Sequence, residues 1–135
     1  MKLIRISLAA LIVVFAASVA TSQYTLATSG TGQSGTKLDF TTTGPASQQN
    51  KIAFLGISPL QGQVQFPFVT IDLGWPIIAI GMGNVSSGTI TRPIVVPDLP
   101  PGFSIKMFAQ SLIVRPAGGG YQVQKTPVVP FTIFN

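Results

Sequence analysis

Cysteine, histidine and glutamate are missing from all 135 residues, and the only acids are Asp39, Asp72 and Asp98. Without cysteine there is no disulfide, no thiolate nucleophile and no lipid attachment point, so the chain must be held together by packing alone. Without histidine there is no ordinary general base near neutral pH, and a Ser-His-Asp triad is ruled out. The soft and nitrogen ligands that hold transition metals are gone with them, so neither a metal nor a cofactor is expected. Two aspartates could still form an acid/base pair, which leaves a small aspartate-based hydrolase as an alternative. The three lie far apart in sequence, however, and a chain with no enzyme activity is the expectation.

Acids are outnumbered by eight Lys plus Arg, giving a net charge of +5. Lys2 and Arg5 stand at the extreme N-terminus; Lys37, Lys51, Arg92, Lys106, Arg115 and Lys125 are scattered singly. No basic run is present to track a phosphate backbone, so nucleic acid is not an expected partner.

What the chain does contain begins with a leader. Residues 1–20 place Lys2 and Arg5 before the apolar run Leu8 to Ala17 and end in the small residues Ser18-Val19-Ala20. That is the layout of a secretory signal peptide, expected as an N-terminal signal helix and too short to span a bilayer comfortably. It predicts a secreted or cell-surface protein, extracellular or periplasmic, touching the membrane only through this segment before cleavage. Retention of the segment as an anchor is the alternative. Residues 21–135 are then expected to form a single domain.

Strand signals fill that domain. Lys37-Leu38-Asp39-Phe40-Thr41 alternates polar and apolar residues, so the Thr-, Ser- and Gly-rich stretch 21–50 reads as early strands joined by a loop. Ile52 to Ile57 follows, then Gln63 to Leu73, where Val64, Phe66 and Phe68 recur at every second position and Pro67 predicts an edge strand or a bulge. Pro76 to Ile80 is a short apolar run expected to close in a turn at Gly81-Met82-Gly83-Asn84. Thr89 to Val96 precedes the rigid connector Pro97-Asp98-Leu99-Pro100-Pro101-Gly102. Phe103 to Val114 is apolar on both faces, as a strand crossing the middle of a fold would be. Pro116 to Gly120 turns the chain into Tyr121 to Thr126, and Val128 to Phe134 ends it. With no convincing helical period, seven to nine short strands predict an all-β fold, an antiparallel β-sandwich of jelly-roll or Ig-like kind.

The order of residues from Gly88-Thr89-Ile90 through Val96-Pro97-Asp98-Leu99-Pro100 to Gly102-Phe103-Ser104-Ile105 and Met107-Phe108-Ala109-Gln110-Ser111 resembles an uncharacterised small secreted β-sandwich domain. That domain recurs in exported proteins of environmental bacteria. The shared pattern is one of turns and core positions, so the resemblance implies a fold and no chemistry. Gln122 to Pro127 stands where that group often has a Ser-Asn-Gly-like turn.

Three residues are candidates for ligand contact. Trp75, between Gly74 and Pro76, and Tyr121, together with the phenylalanines as a group, could stack on sugar rings, and Gln110, inside an apolar strand, could present its amide. Each has a plainer role open to it: a tryptophan capping the core, or an amide satisfying backbone groups at a bulge. Ser104 and Lys106, Gly81-Met82-Gly83 and the acceptor triplet Asn84-Val85-Ser86 read respectively as a solvated surface pair, a turn and a chance match. The apolar C-terminal strand could join a neighbouring subunit or pair within its own sheet. These features together predict an exported non-enzymatic structural or binding module at or beyond the cell surface. The alternative is a carbohydrate-binding module using exposed aromatics, and the expected partners are a polysaccharide or another surface protein.

Overall fold

The structure, a computed structural model, describes residues 23–135; the leader and its expected signal helix lie outside the described residues. All regular structure among them is β. Ten strands follow one another as β1 (Thr25–Ser29), β2 (Lys37–Thr43), β3 (Ile52–Ser58), β4 (Gln61–Gln65), β5 (Thr70–Leu73), β6 (Ile78–Asn84), β7 (Thr89–Val95), β8 (Ser104–Ala117), β9 (Gly120–Lys125) and β10 (Val129–Phe134). They form a three-stranded sheet in the order β1-β2-β7, a five-stranded sheet in the order β10-β8-β3-β6 with β9 also on β8, and the separate hairpin β4-β5. Every strand pairing is antiparallel.

The larger sheet is organised around β8. Its 14 residues pair with β3 along one flank, while β10 and then β9 share the other. Flanked by strands on both edges, β8 runs through the interior of its sheet; its inward residues Ala109, Ser111 and Ile113 are buried, while Leu112 and Val114 on its outer face are only half-buried. Between β9 and β10 one residue more is used than on β8, and the irregularity falls at Thr126. Thr126 N–H donates to Ser111 O at 3.0 Å, and Ser111 N–H donates to Thr126 Oγ1 at 3.0 Å.

One core serves both larger sheets. Leu26, Leu38 and Phe40 from the three-stranded sheet join Ala53, Leu55, Ile57, Met82, Ala109 and Ile113 from the five-stranded sheet in a single buried cluster. The Phe40 and Phe131 rings meet edge to face, 5.1 Å between centroids, and Thr42 Oγ1 donates to Ser111 Oγ at 2.8 Å across the same space. The alternation of β2 is what allows this, since its even-numbered residues face the cluster and its odd-numbered ones face outward.

Two local expectations are corrected. Gln63 to Leu73 is not one strand. Phe66 N–H donates to Val69 O at 2.9 Å, closing a turn at Pro67-Phe68, so the every-second-position pattern of Val64, Phe66 and Phe68 runs out of β4 into a loop. Proline, lacking a donor, suits the turn better than the ladder. Gly81-Met82-Gly83-Asn84 is not a turn but the end of β6. Phe54 faces Gly81 and Ala53 faces Gly83, which leaves Met82 as the extra residue of a bulge, turned inward and buried. The chain reverses instead over Val85 to Gly88, where Gly88 N–H donates to Val85 O at 2.9 Å.

Candidate binding surface

The face of the five-stranded sheet turned away from the core is laid out in rows by the register. Ile52, Val114 and Val123 form one row, Phe54, Leu112 and Lys125 the next, and Gly56 and Gln110 a third. The β4-β5 hairpin lies over the third row. Glycine at position 56 is what admits it, because a Cβ there would stand 3.0 Å from Leu73 Cδ1.

Three hydrogen bonds and an ion pair fasten the hairpin, and a further bond ties Gln110 to Thr126. Gln110 Oε1 accepts from Asp72 N–H at 2.9 Å, and its Nε2 donates to Asp72 Oδ2 at 3.0 Å and to Thr126 O at 2.8 Å. Lys125 Nζ donates to Thr70 O at 2.8 Å and forms an ion pair with Asp72 Oδ2 at 2.9 Å. Burial pushes the Asp72 carboxyl up, but hydrogen bonds from Lys125, Gln110 and Gln63 and the Lys125 charge together hold it below its usual range. Gln110, 1% exposed, therefore faces the interior of this junction, with its amide occupied by protein groups.

The first two rows are only partly covered, with Leu112, Val114, Val123 and Lys125 half-buried. Ile52 and Phe54 are exposed, and beside them a cleft of about 320 Å³ is lined by Phe68, Val114, Tyr121 and Val123. Phe68 reaches it from the tip of the hairpin and is 66% exposed; Tyr121, 75% exposed, reaches it from β9. A second hollow of about 420 Å³ is lined by Gln49 and residues 116–121. Its wall is largely the backbone of a glycine turn, which offers a ligand less side-chain surface than the cleft does.

Tyr121 lines both hollows and Trp75 lines neither, so these two candidates do not share a site there. Trp75 is 62% exposed at the end of β5, where its bond to Pro76 is cis. The residues that sequence reasoning did not single out are Phe68, Val114 and Val123. Only Phe68 left a signal, as an aromatic directly after a turn proline.

The remaining candidates are dispersed. Ser104 and Lys106 are exposed on β8 opposite Phe134 and Thr132, and Lys106 Nζ lies 5.6 Å from the Phe108 ring centroid. Asn84 Oδ1 accepts from Ser86 N–H at 2.8 Å, making the acceptor triplet a local turn. Asp39 stands on β2, Asp72 on β5 and Asp98 in the connector after β7. Among the described residues, no three acids gather into a potential metal site. The C-terminal strand pairs with β8 of its own sheet.

No protein-family model, curated protein or solved structure matches the chain.

Proposed function

We propose that the chain is an exported, non-enzymatic binding module acting at or beyond the cell surface. Its contact surface is the uncovered part of the five-stranded sheet, centred on the cleft between Phe68 and Tyr121. The observation that carries this reading is the exposure of two aromatic side chains on either side of an apolar floor. Soluble proteins seldom leave a contiguous apolar patch open without a use for it. The absence of histidine, cysteine and glutamate supports binding over catalysis. The shared core of the two larger sheets supports the finer fold reading, an antiparallel β-sandwich of jelly-roll or Ig-like kind. The leader motif supports export, and the resemblance to secreted β domains of environmental bacteria agrees with it.

A sugar chain is the ligand these walls suit best, because pyranose rings present apolar C–H faces to aromatic rings while their hydroxyls stay in water. Another surface protein is the second partner to test. The test is retention of the chain on a panel of insoluble polysaccharides, compared with Tyr121→Ala, Phe68→Ala and Trp75→Ala. Binding lost in the first two variants and kept in the third supports the cleft. Binding lost only in Trp75→Ala moves the site to the end of β5, and no retention on any polysaccharide removes the carbohydrate reading.

A further inference from the structure

The flank of β8 occupied by β9 and β10 is one composite sheet edge, and its two halves differ. Along β10 the edge is closed: Phe134 N–H donates to Gly32 O at 3.0 Å, Ser34 N–H donates to Phe134 O at 2.7 Å, and Pro130 removes a donor. The edge strand β7 contains Pro93, and the edge strand β6 contains the bulge at Met82. β9 has no proline and no bulge, and among the described residues it has no covering loop and pairs with β8 alone.

The alternation of an antiparallel ladder tells which groups face out. Thr126 N–H is bonded to Ser111 O, so Gln124 and Gln122, two and four residues earlier, also turn their backbone toward β8. The backbone N–H and C=O of Tyr121 and Val123 then point away from it. Their side chains lie on the partly covered apolar face, which places open backbone groups and accessible apolar surface on the same residues.

We infer that β9 is the pairing edge for a second copy of this chain, joined antiparallel about a two-fold axis through Val123. In that register Val123 faces Val123 of the second copy, and Tyr121 faces Lys125 of the second copy. The pairing is self-complementary in charge. Lys125 is the only charged residue of β9, it meets an aromatic ring and not its own copy, and Asp72 already neutralises it. The first-row residues of both copies become one continuous apolar surface. The pairing uses the backbone edge of Tyr121 and Val123, whose side chains also line the cleft, and it stands whether or not the cleft takes a sugar.

The test uses the full chain, expressed with its own leader and recovered as the host processes it. Because the chain has no cysteine, Val123→Cys introduces a single thiol. Across a hydrogen-bonded antiparallel pair the two Cα atoms stand about 5.5 Å apart, within the range of roughly 4.4–6.8 Å that a disulfide bridges. Mild oxidation should give a covalent dimer for Val123→Cys and none for Thr91→Cys, which lies on the outer face of the three-stranded sheet. In sedimentation equilibrium the unsubstituted chain should show a dimer fraction that rises with concentration. Val123→Lys, which sets two ammonium groups against each other on the axis, should dissociate it while leaving the β circular dichroism signal unchanged. A strict monomer at all concentrations, a dimer indifferent to Val123→Lys, or equal cross-linking at both cysteine positions would overturn the inference.

Discussion

Gln110 on β8 grips Asp72 on β5 at two points, accepting from its backbone N–H at 2.9 Å and donating to its carboxylate at 3.0 Å. One buried amide thereby fixes a two-stranded hairpin to a sheet with which it shares no ladder. The hairpin in turn decides how much of the sheet's outer face is open, so the shape of the candidate surface depends on this residue.

Gln110→Leu keeps the volume roughly constant and deletes these two bonds and the one to Thr126 O, leaving Asp72 N–H and Thr126 O to find other partners. A cost of about 1–3 kcal/mol is expected in urea unfolding. Amide exchange should quicken at Asp72 before it does in β2, because the hairpin loosens ahead of the core.

The Asp72 carboxyl is held below its usual range in the folded chain. A group with a depressed folded pKa contributes stability that is fully present above its unfolded value, about 4, and is lost as pH falls through the folded one. The gap in unfolding midpoint between the chain and Asp72→Asn should therefore be constant from neutral pH to about pH 5 and close below about pH 4. A gap that widened on acidification would contradict the sign.

At Gly56 the hairpin approaches so closely that an added Cβ would stand 3.0 Å from Leu73 Cδ1. Gly56→Val should force Leu73 aside and destabilise the chain by about 1–3 kcal/mol, as overpacking does. Limited proteolysis should then cut within residues 60–70 sooner than in the unsubstituted chain.

Lys51 is buried, and its Nζ donates to the Tyr24 hydroxyl at 2.7 Å. Tyr24→Phe removes the oxygen that receives this bond from a charged donor, and about 1.5–3 kcal/mol should be lost in thermal or urea unfolding. Adding Lys51→Met to that variant should restore part of the loss, since the ammonium no longer has to be sheltered. Failure of the second change to recover any stability would show that the pair is not coupled.

Much of the fold was legible because its signals are local. The alternation at Lys37 to Thr41, the proline connector 97–102 and the glycine turn after Pro116 each act within a few residues, and each marks a real boundary. The two misread places are those where local and distant preferences conflict. Gly81-Met82-Gly83 has turn chemistry, yet Met82 gains more by entering the core from a bulge. The period at Val64, Phe66 and Phe68 is that of a strand, yet Pro67 bends the chain before Phe68 can pair. Of the candidate site residues, Tyr121 stands in the cleft, Trp75 stands exposed elsewhere and Gln110 is enclosed. Exposure at a strand end and enclosure at a strand centre differ only in what the rest of the chain lays over them.

Composition alone settled which chemistries are unavailable, and the spacing of apolar residues with glycine and proline settled that the body would be extended strands. Both follow from side-chain identity and short-range sterics, which travel with the sequence. Which outer rows stay partly open, which amide is sealed in and which edge is left unpaired were decided only when β4 and β5 folded across β8 and residues 32–34 closed over β10. Those outcomes depend on contacts between segments tens of residues apart, and no local pattern encodes where such segments will meet.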